Sequence, residues 1–338
     1  MKPLLLLDPS FRRTDVIFTK VDLDRIRAAA NVVWARDDPA PDSEIEKIRS
    51  DVEIIVTAEW RHGEVSRFPK LRAILEVSGG FPSPASLDYE ACFARGIRVL
   101  SCAPAFGPAV AEMALGLALA ASRQIGYTDR MFRSGSEHWS HTEFATPIGE
   151  PFTHYRKPVG FIGFGGLARA LKPLLEPFDC PIAVYDPWLT DTFLRGEGVI
   201  PTDIETLLST SRYIYVLAVP SAENRAFLDR AALELIRPDA VLLLMSRAHV
   251  VDFDALTELL LAGKFRAGID VYPEEPLAAD HPIRRADHAV LSSHRAGANA
   301  EALHAVGRLV ADDVEAIASG LVPYAMQHAH PEFIRLRG

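Results

Sequence analysis

The sequence is poor in cysteine, which argues against a disulfide-stabilised secreted protein. Of its 338 residues only three are cysteines, Cys92, Cys102 and Cys180, an odd number without the spacing of a metal site. Such thiols are typical of reduced cysteines in a cytoplasmic protein, which is the location we expect. The four leucines that follow Pro3 are too short a run for a signal peptide and are expected to form the first strand.

Basic residues and long apolar runs are also scarce. The 36 Lys and Arg residues are scattered and outnumbered by 45 Asp and Glu, with a net charge of −9, so we expect no nucleic-acid partner. The most apolar helical stretch, residues 113–121, has nine uninterrupted apolar residues, whereas a membrane-spanning helix needs about 20. We therefore expect a core helix and no membrane partner. Length and composition allow two domains, each with its own core.

A glycine motif between a strand and a helix is the most informative stretch that is present. Residues 158–164 predict a short buried strand, and a helical pattern begins at Leu167. Gly163, Gly165 and Ala168 fit the template G-x-G-x-x-A. The first glycine allows a tight turn, the second lets a pyrophosphate approach the backbone, and the small third residue lets the helix pack on the sheet. This predicts a dinucleotide site at a helix N-terminus, with an ordinary α/β turn as the alternative.

An acidic residue follows at the spacing that this motif requires. Asp186 ends the next predicted strand, 23 residues after Gly163. A carboxylate at that place hydrogen-bonds the ribose hydroxyls of an adenosine and repels a 2′-phosphate. The sequence therefore favours NAD over NADP as the cofactor.

Strand-like and helical patterns alternate along the whole chain, which predicts parallel sheets covered on both faces. The runs before the glycine motif have no such motif of their own. We expect an α/β protein with two doubly wound parallel-sheet domains. A Rossmann nucleotide-binding domain would cover residues 105–299, and a discontinuous flavodoxin-like substrate domain would cover residues 1–104 and 300–338. One long helix is expected over residues 109–132.

Charged residues end three successive predicted strands of the nucleotide-binding half. They are Arg247, the segment from Asp270 to Glu275, and His294. Ligands of doubly wound sheets bind beyond the carboxyl ends of the strands. A guanidinium there can bind a carboxylate with two hydrogen bonds, and a histidine beside a carboxylate can protonate a carbonyl oxygen. The pattern favours hydride transfer to a 2-keto acid, and surface charge at loop starts is the alternative for each residue alone.

The polar segment 135–156 carries three histidines, His138, His141 and His154. Their spacing is irregular, and no cluster of cysteines or carboxylates completes a metal site. We therefore expect no metal and interpret the segment as a solvated or interface loop.

Ordered motifs resemble the NAD-dependent D-isomer-specific 2-hydroxyacid dehydrogenase family. They are VGFIGFGGLARAL with YDPW, LMSRAHVVDFDAL, AGIDVYPEEPL with HPIRR, and LSSHRAG, with looser matches at SGG and AVAEMALGLALA. These motifs run from about Val77 to Gly297, and the ends of the chain are matched by topology alone.

The resemblance implies the site residues. The catalytic residues would be Arg247, Glu275 and His294. The substrate-binding residues would be Ser78, Gly79, Gly80, Arg247 and His294, the first three through backbone N–H groups. The cofactor-binding residues would be Gly163, Gly165, Gly166, Leu167, Asp186, Val219, Pro220, Ser246, Asp270, His294 and Ala296. The resemblance also implies a homodimer joined through the nucleotide-binding domain.

The sequence departs from the family pattern around the substrate. Ala248 follows Arg247 where the family usually has Gly. The common Gly-x-Gly-x-Asp loop is here Ser-Gly-Gly-Phe, so the wall of the pocket is altered. Phe81 and Phe106 are expected to give a more apolar or differently sized site.

The predicted function is hydride transfer between NAD(H) and a small 2-hydroxy or 2-keto acid of D configuration, similar to glyoxylate or hydroxypyruvate. Formate and phosphite dehydrogenases are alternatives within the same fold, although Glu275 stands where the resemblance gives formate dehydrogenase a glutamine. Two further alternatives are an NAD-sensing, corepressor-like protein without turnover and a dinucleotide-binding structural subunit. Steady-state oxidation of a hydroxy acid separates the enzyme from both.

Overall fold

The computed structural model describes residues 2–139, 141 and 144–336. The chain forms two compact units: unit 1 comprises Met1–Gly107 and Gly297–Gly338, and unit 2 comprises Pro108–Ala296. The sequence places the corresponding boundaries at 104/105 and 299/300. Helices and strands are numbered along the whole chain.

Within its described residues, unit 1 has a sheet of six strands. They are β1 Leu4–Asp8, β2 Asn31–Trp34, β3 Val52–Thr57, β4 Ala73–Glu76, β5 Arg98–Ser101 and β13 Gln327–His328. Their order is β13-β5-β4-β3-β1-β2, and β13 alone is antiparallel to its neighbour, β5. The parallel strands thus follow the order 2-1-3-4-5 of flavodoxin-like folds.

Helices cover both faces of this sheet. They are α1 Thr14–Ile17, α2 Lys20–Ala29, α3 Asp42–Ile48, α4 Tyr89–Ala94, α12 Ala300–Ala318 and α13 Pro331–Leu336. Leu5 and Leu7 of β1 belong to the core beneath α2 and α12, whereas Leu6 belongs to the core on the other face. This alternation follows from the two-residue period of a strand and explains why the apolar runs of unit 1 are nearly continuous.

Helix α12 packs closely on α1 through Gly307, which gives a stability prediction. An ideal Cβ on Gly307 would lie 2.2 Å from the carbonyl oxygen of Ile17. We expect Gly307→Ala to lower the free energy of unfolding by about 1–3 kcal/mol, because the backbone must shift to admit the methyl group. Gly116→Ala is the control, since a Cβ there meets nothing within 4 Å. Urea unfolding should show a small stabilisation for that variant, and a neutral Gly307→Ala would contradict the prediction.

The described part of unit 2 has a sheet of seven strands, all parallel. They are β6 Val159–Ile162, β7 Ile182–Tyr185, β8 Ile200–Pro201, β9 Tyr213–Val216, β10 Val241–Leu244, β11 Arg266–Ile269 and β12 Ala289–Leu291. Their order is β12-β11-β10-β9-β6-β7-β8, so the chain reverses direction across the sheet between β6 and β9. This is the Rossmann order, and ligands bind beside such a reversal. The predicted fold class of two doubly wound parallel sheets is confirmed.

The helices of unit 2 are α5 Gly107–Ser122, α6 Ile125–Ser134, α7 Gly166–Leu175, α8 Asp191–Gly196, α9 Ile204–Thr210, α10 Arg230–Glu234 and α11 Phe253–Leu261. The prediction of one helix over residues 109–132 is wrong, because α5 ends before Gln124 and α6 begins after it. Gln124 has a left-handed backbone (φ 59°), and its amide donates to the carbonyl of Gly149 at 2.7 Å. A contact with a distant segment therefore stabilises a break that the local helical pattern does not show.

The stretch Ala103–Ser122 has the length and mean hydropathy (1.5) of a membrane-crossing helix. By length and composition alone, the core helix of a globular protein has the same properties. Ala114, Leu117 and Ala118 of this stretch are buried. An ideal Cβ on Gly268 of β11 would lie 2.9 Å from the Cβ of Leu117, so α5 packs directly on the sheet of unit 2.

Candidate active site

The glycine motif forms the turn between β6 and α7. Gly163 has a φ of +89°, and an ideal Cβ there would lie 2.7 Å from the Cα of Ala218. Only glycine satisfies both the backbone conformation and this close approach. A Cβ on Gly165 or Gly166 would meet nothing within 4 Å, and Gly165 caps α7 without a side-chain hydrogen bond. The N-terminus of α7 is therefore open, and its N–H groups can bind an anion.

Asp186 ties the end of β7 to this turn. Its two carboxylate oxygens accept hydrogen bonds from the backbone N–H groups of Phe164 (2.8 Å) and Trp188 (2.9 Å). The carboxylate is half-buried and adjoins the glycine turn. Each oxygen retains acceptor capacity for a ligand hydroxyl. Asp186 thus lies beside the glycine motif, and its contact with a ribose stays a prediction.

Other predicted cofactor residues also lie at the carboxyl ends of the strands. Leu167 is in the first turn of α7, and Val219 and Pro220 follow β9. The carbonyl of Val219 already accepts the side-chain amide of Asn224 at 2.9 Å. Ser246 follows β10, and its Oγ is buried without a hydrogen-bond partner among the described residues.

Asp270 organises the loop that carries His294. It follows β11, is almost fully buried, and its carboxylate accepts the N–H groups of Arg295 (2.8 Å) and Ala296 (3.1 Å). Its carbonyl oxygen accepts the N–H of His294 at 2.8 Å. His294 has a left-handed backbone with φ 52°. Asp270 therefore holds this loop in place, and its predicted contact with the cofactor stays a prediction.

His294 and Glu275 form an ion-pair contact in unit 2. His294 Nδ1 lies 2.6 Å from Glu275 Oε2, and Glu275 Oε1 accepts the N–H of Tyr272 at 3.0 Å. Burial favours a raised pKa for Glu275, but the hydrogen bonds from His294 and Tyr272 and the charge of Arg247 outweigh it, so the pKa lies below its ordinary value. The carboxylate is ionised at neutral pH and can fix the tautomer of the imidazole. Both side chains are exposed and accessible to a ligand.

Arg247 follows β10 and is exposed, with Nη1 donating to the carbonyl of Ser246 at 2.7 Å. Its charge contributes to the lowered pKa of Glu275, so the two groups lie within electrostatic range. Strands β10, β11 and β12 are neighbours, and the residues that follow them lie at one edge of the sheet. The structure thus brings Arg247, Glu275 and His294 to the same edge of unit 2.

Tyr272 supports the site and was missed by the sequence analysis. Its hydroxyl donates to the carbonyl of Ser292 at 2.8 Å, which joins the segment after β11 to the segment after β12. Burial raises its pKa to about 12, so the hydroxyl remains a donor. The sequence around Tyr272 does not indicate this role, because a tyrosine after a buried strand is common.

In unit 1 the predicted substrate loop already binds a carboxylate of the chain itself. The N–H groups of Ser78, Gly79 and Gly80 donate to the carboxylate of Glu76, at 2.8, 3.3 and 3.2 Å. Glu76 is 1% exposed at the end of β4. Burial raises its pKa to about 7, although the hydrogen bonds from the loop act in the opposite direction.

The two phenylalanines expected to shape the substrate site differ in position. Phe81 is buried and its ring packs on Phe333 at 5.8 Å, within the core beneath α4 and α13. Phe106 remains at the loop, where its ring would lie 3.1 Å from a Cβ on Gly79. Phe106 therefore lies against the predicted substrate loop and Phe81 packs in the core, and their effect on the substrate site stays a prediction.

The histidines of segment 135–156 do not share an environment. His154 is buried, with Nε2 3.0 Å from the hydroxyl of Tyr215 and Nδ1 3.3 Å from Sγ of Cys180. Burial lowers its pKa to about 4. His138 and His141 lie at the surface. Over residues 2–139, 141 and 144–336, no group of three or more His, Cys, Asp or Glu side chains has a metal-binding arrangement.

Comparison with known proteins identifies the family. The family profile described as "D-isomer specific 2-hydroxyacid dehydrogenase, NAD binding domain" matches residues 115–296. A glyoxylate reductase of Thermofilum pendens is 30% identical over 275 residues, covering 80% of this chain and 78% of that protein. The chain belongs to the D-isomer-specific 2-hydroxyacid dehydrogenase family.

Two further 2-hydroxyacid dehydrogenase relatives carry names that point to another substrate. A D-3-phosphoglycerate dehydrogenase of Mycobacterium tuberculosis is 30% identical over 262 residues, and the match spans 76% of this chain but only 47% of that protein. The crystal structure of a phosphoglycerate oxidoreductase from Rhizobium etli has a TM-score of 0.83 and 34% identity, covering 97% of this chain and 99% of that one.

As a 2-hydroxyacid dehydrogenase, the protein is an NAD-dependent oxidoreductase that acts on the CH–OH group. Its own residues fit the cofactor. Three features suit a dinucleotide: the open helix N-terminus at Gly165 and Gly166, the carboxylate of Asp186 beside the turn, and the buried hydroxyl of Ser246. That hydroxyl has no hydrogen-bond partner in the part of the chain that the structure describes. When bound, NADH supplies the hydride.

The position of Asp186 predicts how the dehydrogenase distinguishes NADH from NADPH. We expect Asp186→Asn to raise kcat/KM for NADPH relative to NADH at least about tenfold, because the charge that repels a 2′-phosphate is removed while one oxygen can still accept a hydrogen bond. Asp203→Asn is the matched control, since Asp203 caps α9 at the surface of the same unit. A ratio that moves equally in both variants would refute this role of Asp186.

Proposed function

We propose that this dehydrogenase reduces a small 2-keto acid, of the size of glyoxylate or hydroxypyruvate, to the D-2-hydroxy acid with NADH. The observation that carries the proposal is the contact between His294 Nδ1 and Glu275 Oε2 at 2.6 Å, at the same sheet edge as Arg247. An acid, its orienting carboxylate and a planar cation are the groups that reduction of a keto acid needs.

His294 is the proposed proton donor. Because Nδ1 faces the ionised Glu275, the proton that can reach a substrate is the one on Nε2. As hydride adds to the carbonyl carbon, this proton passes to the carbonyl oxygen and gives the hydroxyl group. Oxidation of the hydroxy acid reverses both steps. Glu275 stays ionised throughout and stabilises the protonated imidazole.

Arg247 is the proposed ligand of the substrate carboxylate, which gives a further prediction. We expect Arg247→Lys to raise KM for the keto acid and lower kcat together, with a combined loss in kcat/KM of roughly 10²-fold, because an ammonium cannot reproduce two parallel hydrogen bonds. Steady-state kinetics at saturating NADH measure it. Arg237→Lys, at a surface ion pair with Asp239 in the same unit, should leave both constants unchanged. An unchanged KM in Arg247→Lys would refute substrate contact.

One observation supports a small substrate. The relative from Thermofilum pendens, which matches along most of both chains, is a glyoxylate reductase. The names of the phosphoglycerate relatives favour a larger substrate with a phosphate, so 3-phosphohydroxypyruvate is included in the substrate screen.

We also propose that the protein is a cytoplasmic homodimer joined through unit 2. Support comes from four exposed apolar side chains on α6 and the segment after it: Ile125, Phe132, Trp139 and Phe144, which are 55–64% exposed. Sedimentation equilibrium should give twice the monomer mass of 37.2 kDa. A monomer at micromolar concentration would refute the dimer without touching the proposed reaction.

A substrate screen tests the proposed function. NADH and NADPH oxidation are measured with glyoxylate, hydroxypyruvate, pyruvate, 3-phosphohydroxypyruvate and bulkier keto acids, and the reverse reaction with D- and L-hydroxy acids. Preference for the two small acids, with D stereospecificity, supports the proposal. Preference for the phosphorylated acid overturns the proposed substrate but not the reaction. Tight NADH binding without any turnover would favour an NAD sensor.

A further inference from the structure

Two segments of unit 2 that carry predicted site residues are paired side by side. Residues 217–228 follow β9 and include Val219 and Pro220, and residues 245–252 follow β10 and include Arg247. Three backbone hydrogen bonds join the segments: Ala226 N–H to the carbonyl of His249 (2.8 Å), Leu228 N–H to that of Val250 (2.9 Å), and Asp252 N–H to that of Leu228 (3.0 Å). The chain that follows Arg247 is therefore held against the segment after β9.

The side chain of His249 makes a further contact between these two segments. His249 lies two residues after Arg247, in the short 3-10 turn Ala248–Val250, and is half-buried. Its Nε2 lies 2.8 Å from the carbonyl oxygen of Ser221. Because a carbonyl oxygen can only accept, Nε2 carries the proton and donates. His249 thus joins the turn after Arg247 to the residue that directly follows Pro220.

The backbone around Ser221 is fixed independently of His249. The N–H of Ser221 donates to Asn224 Oδ1 at 2.8 Å, and Asn224 Nδ2 donates to the carbonyl of Val219 at 2.9 Å. Ser221 itself is almost fully buried. The carbonyl that accepts from His249 is therefore a fixed acceptor, and loss of the contact should release the turn after Arg247 rather than the segment with Val219.

The position of the Arg247 side chain depends on this turn. Arg247 is exposed and its backbone is extended (φ −151°, ψ 145°), whereas Ala248 and Val250 are buried in the core of unit 2. His249 supplies a polar anchor between these two apolar ones. A guanidinium that binds a carboxylate with two hydrogen bonds tolerates little displacement, and a misplacement of about 1 Å can cost about 10²-fold in rate.

We propose that His249 is a positioning residue, whose contact with Ser221 holds the turn after Arg247 where the guanidinium can bind the substrate carboxylate. The proposal rests on the proposed function, in that Arg247 is the ligand of that carboxylate. The role requires a hydrogen-bond donor at the position of Nε2 and no titration of the imidazole.

Three substitutions at His249 separate the reach of the side chain from its chemistry. His249→Gln places an amide donor near the position of Nε2, His249→Asn carries the same amide on a shorter side chain, and His249→Leu has no donor. His328→Leu is the matched control, because His328 in unit 1 is also half-buried, with Nε2 2.8 Å from the carbonyl oxygen of Pro323.

The measurements are steady-state kinetics and a binding titration. Oxamate, an unreactive analogue of a 2-keto acid, is titrated by calorimetry into the full chain loaded with NADH. Thermal unfolding and NADH affinity are measured for every variant, so that a loss of folding or of cofactor binding is recognised.

We expect His249→Leu and His249→Asn to weaken oxamate binding and to raise KM for the keto acid about five- to tenfold, the usual effect of one lost hydrogen bond. NADH affinity should change little, since Asn224 still fixes the segment after β9. His249→Gln should restore most of the oxamate affinity. His328→Leu should lose about as much thermal stability as His249→Leu but no oxamate affinity.

A double-mutant cycle tests whether His249 acts through Arg247. In the Arg247→Lys background, His249→Leu should lower kcat/KM by less than about twofold further, because both substitutions impair the same contact and a flexible ammonium depends little on exact placement. Independent, additive losses would overturn the proposal. Unchanged oxamate affinity in His249→Leu, or a folded His249→Gln variant that binds oxamate no better than His249→Leu, would also overturn it.

The outcome is separable from that of the proposed function. Wild-type protein that reduces a keto acid while His249→Leu keeps the wild-type KM would refute this inference alone. Weaker oxamate binding in His249→Leu, together with a wild type that reduces no keto acid, would refute the proposed reaction alone. Absence of both oxamate binding and turnover in the wild type would overturn both. If His249→Leu does not fold, the comparison of His249→Asn with His249→Gln decides.

Discussion

Replacement of His294 by alanine should lower kcat for keto-acid reduction by about 10²–10⁴-fold, the usual contribution of a general acid. The affinity for NADH, measured by fluorescence titration, should change little. The open N-terminus of α7 follows β6 and Asp186 follows β7, whereas His294 follows β12. The folded structure should also be retained, since the His294 side chain is exposed and the loop is held by Asp270 through backbone groups.

Glu275→Gln separates orientation from charge at the same pair. Glutamine can still accept a hydrogen bond at Nδ1 of His294, but it cannot stabilise the charged imidazole. We expect a smaller loss of kcat than in His294→Ala, because the imidazole keeps its orientation and loses only the nearby charge. In the wild type the pKa of Glu275 lies below its ordinary value of 4.5, so protonation of this carboxylate should not limit activity above that pH.

The matched control for both variants is His330→Asn, an exposed histidine of unit 1. It should retain wild-type kinetics. Turnover by His294→Ala within a factor of a few of the wild type would refute its role as proton donor, whatever the substrate. An unchanged kcat in Glu275→Gln would show that the charge of Glu275 does not assist the proton transfer.

The parts of the molecule that could be predicted from sequence depend on local rules. A buried strand, a glycine turn and a helix are adjacent in the chain, so the glycine motif at Gly163 and the carboxylate at Asp186 follow from spacing alone. The ends of β10 and β12 were predictable because apolar runs stop at Arg247 and shortly before His294. Regular parallel order then places those ends at one edge of the sheet.

The parts that could not be predicted depend on partners distant in sequence. The break at Gln124 is stabilised by Gly149, 25 residues away. The link made by the Tyr272 hydroxyl reaches Ser292 on another strand. Glutamine and tyrosine are both ordinary at these positions, so composition and periodicity do not predict either contact.

The structural roles of the buried carboxylates were the hardest feature to predict from the sequence. Glu76, Asp270 and Asp313 are each almost fully buried, and each accepts hydrogen bonds from successive backbone N–H groups of a loop. The loops are 78–80, 295–296 and 324–326 respectively. A carboxylate at a strand end suggests catalysis when only the sequence is known. Here the same residue type fixes the loops, whereas the pair Glu275–His294 is exposed and is the one proposed for the chemistry.

The glycine turn should give the second large effect, because its two glycines are required for different reasons. A methyl group on Gly163 would meet the Ala218 backbone at 2.7 Å, and the φ of +89° is unfavourable for any other residue. We expect Gly163→Ala to lower the free energy of unfolding by about 1–3 kcal/mol and to abolish measurable NADH binding.

Gly165→Ala should affect the cofactor alone. Its φ of −82° is ordinary, and a Cβ there meets nothing within 4 Å, so the protein without cofactor should unfold at the wild-type urea concentration. The open space is where a pyrophosphate must approach, so NADH affinity should fall at least about tenfold. Gly196→Ala, at the last residue of α8 and with no neighbour within 4 Å of its Cβ position, should change neither quantity. Wild-type NADH affinity in Gly165→Ala would place the phosphates elsewhere, and equal destabilisation in both turn variants would mean that the space at Gly165 is required by the fold itself.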